Sequence, residues 1–186
     1  TVTFNDGSAP VTFSHPPPSD VSHLFTTTSC GTNSGTYNNS FSATITASNP
    51  CLTSTASVVP IYVSQKPNAS FSITPKDTIC KNSNITFTNT SGNNSYVNAP
   101  NCSDGKVVWE ITPATGWTIN NGNLGNTYSS ADPNFWVSGT ASISINFNTV
   151  GTYSVKFKAG NPVCGMDSSI KVICVNPTPT ASFSLS

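Results

Sequence analysis

"FSATITASNP" (Phe41–Pro50) lies over "YSVKFKAGNP" (Tyr153–Pro162) without a gap. Each copy alternates an apolar residue with a polar or small one and then breaks at Asn-Pro. Alternation with a period of two is the signature of a strand that buries one face. In the first copy Phe41, Ala43, Ile45 and Ala47 share a face, and in the second Tyr153, Val155, Phe157 and Ala159 do, with Lys156 and Lys158 opposite. "IYVSQKPNASFSI" (Ile61–Ile73) lies over "ICVNPTPTASFSL" (Ile173–Leu185) at the same offset. Two separate stretches that share one offset mark an internal repeat, with a unit the size of one β-sandwich. Cys51 meets Cys164 after a single insertion, Val163.

The same period recurs at Ile143, Ile145 and Phe147, at Ala69, Phe71 and Ile73, and at Val107, Trp109 and Ile111. Trp109 is expected in a core, as the buried strand tryptophan of sandwich folds is. The composition agrees. There is no Arg, one Glu (Glu110) and one Gln (Gln65), so strong helix formers are scarce. Asn, Ser, Thr, Gly and Pro fill the gaps between apolar runs, which reads as turns between short strands. The fold class is therefore all-β, in tandem β-sandwich modules.

Charged residues make up 8% of the chain, against about 25% in an average soluble domain. The formal net charge is zero, and no basic stripe is present, which argues against a nucleic-acid partner. No apolar run reaches the length of a membrane span. Six cysteines without a close C-x-x-C pair read as disulfides of an oxidising compartment rather than as zinc ligands.

Three stretches resemble polycystic-kidney-disease (PKD) domains. "TVTFNDGSAP" (Thr1–Pro10) resembles their W-x-F-G-D-G strand and turn, and "SHLF" (Ser22–Phe25) their H-x-Y strand. "GTYSVKFKAGNPVCG" (Gly151–Gly165) resembles their G-T-Y-x-V-x-L-x-A-x-N hallmark. In the second module "VVWEITPATGW" stands where the F-G-D-G turn is expected. The resemblance implies an immunoglobulin-like (Ig-like) sandwich. The Cys-containing, Asn/Thr-rich flavour is similar to tandem PKD-type modules of large surface proteins of gliding and related Bacteroidota, which are exported by the type IX route. That implies an extracellular, cell-surface adhesin or filament.

The repeat frames three segments. Residues 1–66 form a module that lacks its first strands. Residues 67–178 form a complete module with a long insertion, Thr118–Ser130, and 179–186 the first strand of a further module. A sandwich short of two strands exposes half its core. Neighbouring modules of a longer array are expected to supply the missing strands, or identical chains to do so by strand exchange. Cys30 and Cys51 stand alone in the first module, which predicts Cys30–Cys51; Cys80–Cys174 and Cys102–Cys164 are expected in the second.

Chemistry-bearing residues are sparse. Asp6, His15, Asp20 and His23 invite a hydrolytic triad, yet no G-x-S-x-G elbow accompanies them. Asp6, before Gly7, reads as a turn residue that bonds its own backbone. The acidic residues are too scattered for a calcium cage. No catalytic residue, metal ligand or cofactor is expected. In "DPNFWV" (Asp132–Val137), Phe135 and Trp136 would face opposite ways in a strand, so one of them leaves the main core. It either forms a ligand platform or is covered by the insertion. Asp77-Thr78-Ile79 resembles a Bacteroidota O-glycosylation site at Thr78. The reading is a non-catalytic structural or adhesive segment, with a surface glycan or protein as its ligand. The alternative is a carbohydrate-binding accessory module of a secreted enzyme, with Trp136 or Trp117 as platform.

Overall fold

The computed structural model describes residues 1–183, and the chain is all-β. In chain order its strands are β1 (Val2–Phe4), β2 (Phe41–Ser48), β3 (Thr53–Ile61), β4 (Phe71–Thr74), β5 (Thr78–Cys80), β6 (Ser83–Asn89), β7 (Ser95–Asn98), β8 (Asn101–Asp104), β9 (Lys106–Thr112), β10 (Trp117–Asn121), β11 (Ser142–Phe147), β12 (Gly151–Asn161) and β13 (Gly165–Asn176). They fall into two compact units. Unit 1 comprises Thr1–Lys66 with Asn93–Gly105, and unit 2 comprises Pro67–Gly92 with Lys106–Ser186. One crossing falls between Lys66 and Pro67. The assignment of Asn93–Gly105 to the second module does not hold, because these residues belong to unit 1.

Unit 2 has two four-stranded sheets, β10-β11-β6-β4 and β5-β13-β12-β9, arranged as a sandwich around one core. The alternation seen in the sequence is the reason. Tyr153, Val155, Phe157 and Ala159 of β12 are buried, while Lys156 and Lys158 lie on the other face. Phe71 of β4 meets Trp109 of β9 edge-on at 5.4 Å, and Trp109 lies 4.3 Å from Phe157. The Trp109 indole N–H donates to the Thr140 carbonyl at 2.9 Å, so the buried polar tip is satisfied. The chain changes sheets between β4, which pairs with β6, and β5, which runs parallel to β13. The Tyr153 hydroxyl donates toward the carbonyls of Gly116 and Thr149 at 3.1 and 2.9 Å. Gly116 sits at φ +88°, and a Cβ there would lie 2.4 Å from that hydroxyl. Only glycine fits this turn.

Unit 1 has a three-stranded antiparallel sheet, β1-β2-β3, and the hairpin β7–β8. The β1–β2 register sets Val2 opposite Ile45 and Phe4 opposite Ala43. The β9–β12 register sets Trp109 opposite Phe157 and Ile111 opposite Val155. The repeat maps Ile45 onto Phe157 and Ala43 onto Val155, so the two sheets share one register. Val2 and Phe4 are buried, as Trp109 and Ile111 are, but the second strands differ. Phe157 is 0% exposed, whereas Ile45 is 51% exposed. Among the described residues no second sheet covers β1-β2-β3.

The strand expected over 179–186 is not seen over Pro179–Phe183, which have no regular structure; the rest lies outside the described residues. "DPNFWV" is not a strand either. Pro133–Phe135 form a 3-10 turn, capped by the Asp132 carboxylate accepting from the Asn134 amide.

The burial contrast gives a paired prediction. Phe157→Ala should lower the stability of unit 2 by about 3–5 kcal/mol, the cost of a large cavity. Ile45→Ala, its register equivalent, should cost less than about 1 kcal/mol. All three tryptophans (Trp109, Trp117 and Trp136) lie in unit 2, so urea unfolding followed by tryptophan fluorescence reports the first value. Hydrogen exchange of the β2 amides reports the second.

Candidate functional site

The uncovered face of unit 1 is only partly closed, and the closing residues come from a segment without regular structure. In an extended chain residues two apart point the same way. His23 and Phe25 do so: the His23 ring stacks on Phe4 at 3.7 Å, and Phe25 meets Phe4 edge-on at 5.9 Å. Phe25 also stacks on Phe41 at 5.1 Å, while Leu24 between them points outward and is exposed. This short aromatic stack covers the Phe4–Phe41 end of the sheet.

A carboxylate fixes the stack. His23 Nε2 lies 2.7 Å from Asp6 Oδ2. The other oxygen, Oδ1, accepts from the Ser8 amide at 3.0 Å and from the Ser8 hydroxyl at 2.6 Å. The Ser8 amide bond is the turn closure that the sequence predicts for Asp6. The link to His23 is what the sequence reading missed. The Ser8 hydroxyl bond, with His23 and the Ser8 amide adding to it against the cost of burial, holds the Asp6 carboxyl at about 2. The serine donates to the carboxylate, not to the imidazole, so the ring is not placed to take its proton. Such an arrangement orients a side chain rather than activating a nucleophile. His15 and Asp20 do not join this cluster; both line the groove described next.

Beyond the aromatic stack the face is open. A groove of about 660 Å³ runs along it, floored by Val2, Ala43, Ile45, Ala47 and Val58 and walled by the Thr12–Val21 segment. Val58 is 61% exposed. From Thr12 to Asp20 no backbone amide or carbonyl joins a backbone hydrogen bond among the described residues. The opposite face is polar, with Thr44 and Ser57 hydroxyls 3.0 Å apart.

The disulfide of unit 1 is Cys30–Cys102, with Cα atoms 5.9 Å apart, which corrects both Cys30–Cys51 and Cys102–Cys164. The strand length explains the first error. Cys30 sits at the Phe41 end of β2, beside Ser29, whose amide donates to Val63 at 2.9 Å. Cys51 lies beyond Ser48 in the β2–β3 turn, where Asn49 accepts from its amide. β2 separates the two by roughly 25 Å at about 3.3 Å per residue, far beyond disulfide reach. The β7–β8 hairpin brings Cys102 instead, and it is anchored by Asn39 Nδ2 donating to the Pro100 carbonyl and the Val97 amide donating to Ser64 Oγ, each at 2.9 Å. Cys51, Cys80, Cys164 and Cys174 are free thiols, so Cys80–Cys174 is not formed.

The remaining site residues fall apart. Trp136 is 3% exposed, with its indole N–H donating to the Ser130 carbonyl at 2.9 Å, so it offers no stacking surface. Its ring lies against Gly160 of β12, where an added Cβ would come within 3.0 Å of it. Phe135 is exposed in its 3-10 turn, and Trp117 is half-buried against the core of unit 2. Thr78 is exposed at the start of β5, with its hydroxyl 3.3 Å from Asp77 Oδ1. Among the described residues no three His, Cys, Asp or Glu side chains gather closely enough to hold a metal ion. No helix there is long and apolar enough to cross a membrane. No protein-family model matches the chain, and no curated protein matches it.

Two predictions follow from unit 1. Asp6 has a folded pKa below the ordinary carboxylate value, so the stability it contributes is present above about pH 4 and is lost as the pH falls toward 2. Hydrogen exchange of β2 should therefore accelerate across that window, and Asp6→Asn should flatten the dependence. Separately, Cys102→Ser frees a long loop and should destabilise unit 1 by about 2–5 kcal/mol, with peptide mapping of the unreduced protein yielding a Cys30–Cys102 linked pair.

Proposed function

We propose that the chain is a non-catalytic structural and adhesive segment of an extracellular surface protein or filament, built of tandem Ig-like, PKD-type sandwich modules. The carrying observation is the shared register. Val2–Ile45 and Trp109–Phe157 occupy equivalent places in two sheets whose sequences repeat. Repetition of one strand pattern in one chain is how extended arrays are made. The other features support the same reading. The Cys30–Cys102 bond belongs to an oxidising compartment. The His23–Asp6 pair, the one His–Asp pair among the described residues, holds an aromatic stack.

The carbohydrate-binding alternative has less support, because Trp136 is buried and Trp117 packs against the core. Neither supplies the flat exposed ring that sugar stacking needs.

The test is location. Antibodies raised against the chain should label intact, unpermeabilised cells of the source organism, and protease added outside should remove the signal. Labelling that requires permeabilisation would overturn the reading.

A further inference from the structure

The groove on unit 1 has a matching occupant in the chain's own sequence. In unit 2, "PNASFSI" (Pro67–Ile73) delivers Ala69 and Phe71 to the core. Phe71 packs against Trp109 and Phe157 at 5.4 and 5.9 Å. The register equivalents of those two residues in unit 1 are Val2 and Ile45, and both line the groove. Among the described residues no strand of unit 1 corresponds to β4 with its Phe71, and the ring that reaches the groove is Phe13 of the wall. The same strand sequence recurs as "PTASFSLS" (Pro179–Ser186), in which Phe183 stands where Phe71 stands in the first copy. Phe183 is 88% exposed. The chain therefore carries one core-filling strand sequence more than its described cores use, and one face that lacks it.

We propose that the groove on unit 1 receives the Pro179–Ser186 segment of a second copy of this chain, with Phe183 seated over Val2 and Ile45. The apolar floor supplies the contact for alternate side chains of the incoming strand. The wall from Thr12 to Asp20 supplies backbone carbonyls, and amides except at Pro16, Pro17 and Pro18, that have no backbone partner among the described residues, which strand addition can use. The strands β1, β2 and β3 and the segment Pro179–Ser186 contain no Asp, Glu, Lys or Arg, and the side-chain charge at the groove is confined to Asp20, with His15, on the wall. Donor and acceptor are different surfaces of the same chain, so the contact is head-to-tail and propagates instead of closing on a two-fold axis. This deepens the structural reading above and rests on it for its biological sense. It needs only the sequence Pro179–Ser186, whatever precedes or follows it in a longer protein.

The test is assembly of the purified 186-residue chain in solution, measured by sedimentation velocity across a hundredfold range of concentration. The expected result is a ladder of species that lengthens with concentration. Phe183→Asp, in the exposed tail, and Ile45→Asp, on the exposed floor, should each give monomers. Mixed in equal amounts, the two variants should form a one-to-one dimer and nothing larger. One retains a working groove and the other a working tail. A fluorescent Pro179–Ser186 peptide should bind Phe183→Asp and not Ile45→Asp, and native circular dichroism of both variants separates lost docking from lost folding. A wild-type chain that stays monomeric, a closed dimer indifferent to Phe183→Asp, or a mixture that remains monomeric would overturn the proposal. Those outcomes concern strand exchange alone, whereas surface labelling decides the structural reading independently.

Discussion

Phe71 closing over Trp109 and Phe157 is the contact on which the architecture of unit 2 depends. It carries a ring from one sheet onto the face of the other, and the two sheets become a sandwich only where such rings interdigitate. Around it Phe87, Ile85, Ile143, Ile145 and Val155 are fully buried, and the few polar tips in the core find carbonyl acceptors. A sheet face as apolar as that of β12 is stable in water only if it is covered, because the hydrophobic gain scales with the area removed from solvent. The alternation in the sequence thus states a requirement, and β4 meets it.

The same requirement falls on unit 1, which meets it differently. With no opposing sheet among its described residues, it borrows two rings from an extended segment and fixes one of them with a carboxylate. His23 does what an aliphatic core residue would do, and its polar nitrogen becomes an anchor because Asp6 is already held in place by Ser8. The Cys30–Cys102 bond and the β7–β8 hairpin secure the Phe41 end of the sheet. Buried hydroxyls at Ser29, Ser34 and Ser40 are all hydrogen-bonded there, so this end is a polar network rather than a hydrophobic core. Stabilisation is concentrated at one end, and the groove opens at the other.

The strands were legible because a period of two survives in the sequence wherever one face is buried. That reading located β2, β4, β9, β11 and β12, and the offset of the repeat is the one that the strand registers share. The hairpin Asn93–Gly105 was not legible. Its Asn- and Ser-rich strands bury little, and its membership of unit 1 is decided by a disulfide and by bonds from Asn39 and Ser64. The cysteine pairing failed for a related reason: Cys30 and Cys51 stood alone in residues 1–66 only while Cys102 was counted in the second module, and the length of β2 forbids their bond. At the site, the Asp6 turn was readable from Asp-Gly alone. The His23 contact was not, though the His-Leu-Phe alternation at 23–25 carried the signal of a strand-like segment with two rings on one side. Trp136 shows that a dipeptide does not say which ring is covered, because a 3-10 turn replaces the strand and leaves Phe135 exposed and Trp136 buried.

An uncovered apolar face normally comes with protection. Edge strands carry lysines, inward charges or prolines that discourage association with other chains. The β1-β2-β3 sheet carries no charge at all, and its outer strand β3 is exposed along most of its length with only Pro60 near one end. The chain does use lysine on covered ground, at Lys156 and Lys158 of β12, where the face beneath is already buried. Lysine is thus present on a strand whose inner face is already covered and absent from the three strands under the open face. A sheet that had to remain solitary would show the reverse distribution. Unit 1 shares the register of β9 and β12, yet the strands under its open face carry no charge to repel an incoming strand.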